Sequence, residues 1–281
     1  TYTYEDASPQ ANMPYDRPQD SLRAGFDMIY GQYHIFHEWP DATTFMNYVK
    51  EQLDMSYSLP KGKSLIGSFA THDDISPMYH GGADYCNLTM GLQATLPMLN
   101  PYIVDGYQSG DYYSYKYEHQ NNPVTQTDNN EMTVHRGRLD IFNLSRKPGG
   151  GQPEIGEFMK SAFKMRDKYK DVITKGTFIQ LEKEKDKNDQ ISAYARHLNG
   201  KTLLVVANKN VDRPVACKVK IPTLKANQEL NNLLPSYGKP STLQAHDGYL
   251  SAELGPARVH VFEINTPNIE NYSNKIYKQN I

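Results

Sequence analysis

Cysteine and tryptophan are nearly missing from this sequence: Cys86, Cys217 and Trp39 are their only representatives in 281 residues. Two distant thiols exclude a disulfide framework, and without paired ligands they do not make a zinc site. No apolar run approaches the roughly 20 residues that span a bilayer, which speaks against a membrane partner. Neither sign of charge dominates. Thirty Lys and Arg against 32 Asp and Glu leave a formal charge of −2, so there is no electrostatic case for nucleic acid or an anionic membrane. The chain opens Thr-Tyr-Thr-Tyr, with no initiator methionine and no charged or apolar leader, as if it began inside an element. What is plentiful is tyrosine, 21 residues, a side chain suited to sugar faces but equally to cores.

The chain reads as two textures. Thr1–Tyr4, Phe26–Tyr30, Ser64–Phe69 and Tyr102–Asp105 have the composition of short strands, the last three starting about forty residues apart. Ala7–Asp20 carries three prolines and reads as a loop. Asp41 predicts the cap of a helix to about Leu59, with Phe45, Tyr48, Val49 and Leu53 on one face. A second helix is expected near Asp84–Leu96. A third, Glu154–Lys170, carries Ile155, Phe158, Met159, Ala162 and Phe163 at helical spacing. Strands alternating with helices predict βαβ units and a parallel sheet. Asp111–Gly151 is polar and expected to be irregular. After Gly176 come seven strand-like runs: Thr177–Glu182, Gln190–His197, Thr202–Ala207, Val215–Ile221, Glu229–Leu233, Tyr249–Leu254 and Val259–Ile264. Asn199-Gly200 and Asp247-Gly248 mark turns, and the set predicts a small antiparallel sandwich. Glu182–Asp189 reads as a solvated hairpin end and Thr266–Ile281 as a loose tail.

One stretch concentrates chemistry. Ser64-Leu-Ile-Gly-Ser-Phe69 is an apolar strand, followed at once by Ala70, Thr71, His72, Asp73 and Asp74. Acids and an imidazole at the C-terminal end of a buried strand are the layout of an α/β-barrel active site. Asp-Asp before Ser-Pro is also good turn chemistry, and that plain reading stands beside it. His34, His37 and Trp39 suit either a sugar subsite or loop packing, as do Tyr107, Tyr112 and Tyr113. Asp27 reads as a satisfied barrel acid.

The order of these segments resembles the α-amylase family of glycoside hydrolases. Phe69-Ala-Thr-His72-Asp73 is similar to the family's strand-seven motif, usually Asn-His-Asp. Leu96-Pro-Met-Leu-Asn-Pro101-Tyr-Ile-Val-Asp-Gly106-Tyr-Gln-Ser-Gly110 is similar to its strand-eight region, and Ala162-Phe-Lys-Met-Arg166 to its last barrel helix. Ile191–Arg196 and Leu203–Asn208 resemble the start of its C-terminal β-domain. The resemblance implies the C-terminal half of a (β/α)8 TIM barrel over residues 1–174, an antiparallel β-sandwich over 175–266 and a tail over 267–281.

It also implies roles. Asp73 matches the acid that orients substrate hydroxyls and stabilises the transition state. His72 matches the substrate-binding histidine, and Thr71 stands where the family has Asn. Glu5 falls where strand five presents the general acid, with Asp6 as a competitor, and Tyr107 is a candidate sugar contact. The implied activity is retaining hydrolysis or transglycosylation of α-1,4-linked glucose, with an α-glucan or maltooligosaccharide as substrate. Such chemistry needs an acid and a nucleophilic carboxylate about 5–5.5 Å apart. The family's nucleophile sits on strand four, which would lie before Thr1. A whole barrel takes roughly 250 residues, so the expectation is a fragment, inactive alone, whose partner is the N-terminal half of the same enzyme. A catalytically silent carbohydrate-binding or scaffold relative is the alternative. Calcium is common in the family, at sites built mostly outside the matched segments, so no ligand is assigned. An extracytoplasmic location suits polymer digestion, by family analogy.

Overall fold

The computed structural model describes residues 3–4, 18–67, 69–71, 76–104, 106–110, 152–184, 187–237, 242–265, 269 and 276–278. Four strands form the first sheet: β1 (Thr3–Tyr4), β2 (Met28–Tyr30), β3 (Ser64–Gly67) and β4 (Leu99–Pro101). All three pairings are parallel, and the spatial order is the chain order, β1-β2-β3-β4. A doubly wound sheet reverses its order at a switch point. This one does not, so every crossover steps the same way, as in a barrel wall.

Helices α1 (Pro18–Arg23), α2 (Ala42–Ser56), α3 (Pro77–Thr95), α4 (Pro153–Lys168) and α5 (Lys170–Lys175) accompany the strands. The α2 helix starts where Asp41 accepts the Thr44 N–H at 2.7 Å. It turns Phe45, Val49 and Leu53 into the core. Replacing Asp41 by Ala is expected to cost about 1 kcal/mol, read from a denaturant midpoint, because one orphan N–H then lacks its acceptor. Within α3 the helical dihedrals break at Gly81 and Gly82, where Gly82 takes φ +64°. The piece after the break is the helix expected from Asp84.

Several expectations need correction. Pro18–Arg23 is helical where a loop was expected to Asp20: Pro18 fits the first turn, whose N–H has no helical acceptor, and Leu22 is fully buried. The fourth strand lies at Leu99–Pro101, not Tyr102–Asp105, because the Tyr102 N–H goes to the Gln93 side chain at 3.0 Å. The residues beyond Lys168 begin a separate short helix, α5, after Tyr169 leaves helical geometry at φ −109°. The expectation for 111–151, with Tyr112 and Tyr113, lies outside the described residues.

The second half holds β5 (Thr177–Gln180), β6 (Ile191–Leu198), β7 (Lys201–Asn208), β8 (Val215–Lys220), β9 (Thr242–His246), β10 (Tyr249–Leu254), β11 (Arg258–Asn265) and β12 (Ile276–Tyr277). They form a five-stranded sheet, β11-β7-β6-β5-β12, and a three-stranded sheet, β8-β10-β9. Every pairing among them is antiparallel. Asn199 and Gly200 both take positive φ in the β6–β7 hairpin, which matches the twist of its strands. Glu229–Leu233 is no strand. It keeps one isolated antiparallel bridge to β11, Asn232 with Phe262, beside which the Asn232 side chain accepts from the Val261 N–H at 3.0 Å and donates to the Leu234 carbonyl at 2.7 Å. The supposed loose tail contributes β12, paired with β5.

The five-stranded sheet is buried on both faces. One face packs on the three-stranded sheet through Leu204, Val206, Val219, Leu250 and Phe262. The other shares a core with the helices through Tyr194, Leu203, Val205, Val259 and Val261. That double burial explains the unbroken apolar run of β7. Ile173 and Phe178, on either side of residue 175, belong to one buried cluster. Glu182–Asp189 is not wholly solvated: Asp189 is buried, bonded to Thr43 and paired with Lys183, and its carbonyl accepts the Ala42 N–H at 2.7 Å.

His260 on β11 is 4% exposed, stacked beside Phe262, and neither ring nitrogen has a hydrogen-bond partner among the described residues. Burial, aided by Arg258, lowers its pKa to about 4. The unfolded chain then binds the extra proton between its ordinary value of 6.5 and 4. Stability is therefore full above 6.5 and declines as pH falls towards 4, by about 3 kcal/mol for a drop of this size. His260→Phe should flatten that part of the pH–stability curve relative to the unsubstituted protein.

Candidate active site

The C-terminal ends of the parallel strands define one edge. The strands are held in register across the sheet by the row Tyr4, Ile29, Leu65 and Leu99, consecutive partners from β1 to β4. Glu5 follows β1 directly in the chain, and the Thr71-His72-Asp73 run follows β3. Glu5, Asp6, His72 and Asp73 lie outside the described residues. Thr71 is described and half-buried.

The flanks of the His72–Asp73 segment are well anchored. Before it, Phe69 and Ala70 are buried, and the Phe69 ring packs 5.1 Å from Tyr33 and 5.2 Å from Phe36. After it, buried Ser76 caps α3 by accepting the Met78 N–H at 3.2 Å, with Pro77 in the first turn. Gly67, the last residue of β3, tolerates no side chain, because a Cβ there would overlap the Leu99 side chain on β4. A glycine at this point lets the two strands close up immediately before the turn.

Beneath the edge lies an aromatic cluster that the sequence did not distinguish from a sugar subsite. Phe36 touches Trp39, Phe45, Phe69 and Tyr85, with ring centroids 5.0–6.2 Å apart. Trp39 packs on Tyr33, Phe45 and Tyr48 as well. Lys209, at the β7 end, lies 5.3 Å from the Phe36 centroid and donates to the Trp39 carbonyl at 2.5 Å. Trp39 is therefore a packing residue that ties the loop after β2 to the second half. His37 stacks on His80 at 3.7 Å, and the His37 Nδ1 meets the His34 carbonyl at 3.1 Å.

Tyr107 sits differently from the sugar contact suggested for it. It is 6% exposed, its hydroxyl donates to the Cys86 carbonyl at 2.7 Å, and it also meets the Thr89 hydroxyl. Burial pushes its pKa up. Its O–H is engaged on α3, so Tyr107 anchors that helix. The α3 helix is buried all round from Tyr85 to Thr95, and nothing in the loop around Tyr107 itself signals the contact. Asp27 is half exposed at the start of β2, with the Lys63 ammonium 3.6 Å away. No group of three or more His, Cys, Asp or Glu able to hold a metal ion occurs among the described residues. No helix among them is long and apolar enough to cross a membrane.

A sequentially ordered parallel sheet with its helices and an antiparallel β-domain sharing its core define a mixed α/β fold. Solved structures of α-amylase-type enzymes have this fold. The noncanonic maltogenic α-amylase AmyB from Thermotoga neapolitana matches 94% of this chain with TM-score 0.61 at 12% identity, over 54% of its own length. The Nostoc punctiforme debranching enzyme, soaked with acarbose, matches 94% with TM-score 0.60 at 16% identity, over 50% of its length. The α-amylase from H. orenii matches 93% with TM-score 0.60 at 14% identity. The chain thus spans about half the length of these proteins. No protein-family model and no curated protein sequence matches it.

Proposed function

We propose that this chain supplies the substrate-binding acid and the general acid of a retaining α-glucan hydrolase or transglycosylase. The observation that carries the reading is the sheet order: β1 and β3, which deliver Glu5 and the Thr71-His72-Asp73 run, lie two strands apart in one parallel wall. Strands are about 4.8 Å apart, so groups after β1 and β3 flank a space about 10 Å wide, the width of a sugar ring and its contacts. In this reading Glu5 protonates the leaving glycosidic oxygen. Asp73 and His72 bind ring hydroxyls more tightly as the oxocarbenium-like state develops. Thr71 offers a hydroxyl where a side-chain amide is usual in the resemblance. The nucleophile belongs to a further strand of the whole protein, so activity is a property of that whole. The α-amylase and debranching names of the structural neighbours support an α-glucan substrate.

The test is the anomeric configuration of the first product released from maltoheptaose by the whole protein, followed by NMR. The α anomer is the expected outcome. Initial release of the β anomer would contradict the retaining assignment. Saturable binding of the sugar without release would favour a silent carbohydrate-binding protein.

A further inference from the structure

At the opposite end of the parallel sheet, a cavity of about 190 Å3 opens where β3 and β4 begin. It is lined by Lys63, Ser64, Asn100, Arg166 and Thr174 together with apolar and glycine positions, and no carboxylate is among its lining residues. A water occupies about 30 Å3 of liquid, so the space exceeds what a few waters require.

Its charge is one-sided. Arg166 on α4 is half-buried and donates Nη1 to the Ala94 carbonyl at 3.0 Å and Nη2 to the Leu99 carbonyl at 2.8 Å. Ile173, also in the lining, accepts at 2.5 Å from Nη2 of Arg196 on β6. Arg196 is fully buried and donates as well to the Gly176 carbonyl at 3.0 Å. Its Nε and Nη1 have no hydrogen-bond partner among the described residues. No carboxylate pairs with either guanidinium among the described residues. Desolvation lowers both pKa values, Arg196 to about 9, and the Arg166 charge adds to the fall at Arg196. Carbonyls from the ends of α3 and α5 offset part of this, since helix C-termini favour cations. Lys63 is better served: it donates to the Phe26 carbonyl at 2.8 Å and lies 3.6 Å from Asp27. Asn100 donates its amide to Ser64 Oγ at 2.6 Å, which fills an acceptor position of that hydroxyl and leaves its proton for another partner.

We propose that this cavity binds a phosphate-type anion, free or as a small ester, through the Arg166 guanidinium and the Ser64 hydroxyl. A guanidinium has five N–H donors, so the three carbonyl contacts of Arg166, the third to Gln93 at 3.5 Å, leave donors unused, and its fork suits tetrahedral oxyanions. An anion would also relieve the like-charge burial of Arg166 and Arg196. The site lies at the N-terminal ends of the strands and is independent of the proposed sugar chemistry.

The test is calorimetric titration of the full chain with inorganic phosphate and, separately, glycerol 3-phosphate, with chloride holding ionic strength constant. Thr174 is exposed on α5, so Thr174→Glu places a carboxylate at the rim without disturbing the core. Saturable phosphate binding in the millimolar range or tighter is expected, weakened at least about tenfold by Thr174→Glu, with an unchanged melting temperature in chloride alone. Tighter binding of the ester identifies the ligand as a phosphoester, and equal binding identifies a free anion. Absence of saturation, or equal affinity in Thr174→Glu, overturns the proposal.

Discussion

Asp73→Asn, made in the protein with its complete active site, is expected to lower turnover of maltooligosaccharides by about 10²–10³-fold, the loss that follows removal of one preorganised group from a developing charge. Asparagine keeps the size and the hydrogen-bonding shape of aspartate but removes the negative charge. The ground-state sugar is neutral, whereas the transition state carries positive charge on the ring. The substitution should therefore act mainly on kcat, with a smaller change in KM. Glu5→Gln is expected to cost about 10²–10⁴-fold through loss of the proton donor. The two variants are separable by leaving group. A glycosyl fluoride needs little protonation to depart, so it should recover most of the activity of Glu5→Gln and little of that of Asp73→Asn. Equal recovery in both would contradict the division of roles. Unchanged turnover in Asp73→Asn would remove Asp73 from the site.

Phe36→Ala is expected to destabilise the fold by about 3–5 kcal/mol, as large-to-small changes of a fully buried phenyl ring do. Phe36 is 1% exposed, and its ring contacts four other aromatic side chains. One of these is Phe69, four residues before Asp73, so the same variant should also loosen the start of the candidate loop. Urea unfolding gives the stability, and a fall in kcat out of proportion to the unfolded fraction gives the loop effect. A stability change below about 1 kcal/mol would mean that the cluster repacks around the gap and does not support the edge.

The parallel wall was legible because its signals are local and repeated. The last three apolar runs recur with one helical pattern in each of the two gaps between them, and Asp41 and Asn199-Gly200 start or turn elements by backbone chemistry alone. The elements that escaped have weak local signals. Only Ala245 of β9 is buried, and β12 is held by its pairing with β5, which no local pattern announces. The displaced fourth strand reflects a tertiary bond from Gln93, nine residues upstream of Tyr102. The site was legible in a different way. Asp73, His72 and Glu5 stand out as titratable groups after apolar strands, and their roles came from a resemblance. Tyr107 and Trp39 look alike in sequence to ring-stacking residues, because an aromatic side chain has the same composition whether a sugar or a core covers it. Burial distinguishes Tyr107, and ring packing on Tyr33, Phe36, Phe45 and Tyr48 distinguishes Trp39. The uncompensated Arg166 and Arg196 pair was invisible for the same reason, since nothing in sequence states which acids are absent from their neighbourhood.

The central claim is that a sugar ring binds at the C-terminal edge of the β1–β4 sheet, between the groups that follow β1 and β3. A crystal structure of the whole protein with maltotetraose bound tests it most directly. The account predicts one glucose ring with hydroxyls within about 2.5–3.0 Å of the Asp73 carboxylate, His72 beside the same ring, and the Glu5 carboxyl next to a glycosidic oxygen. Maltotetraose bound only elsewhere, on the antiparallel sheets for example, with that edge empty, would contradict it.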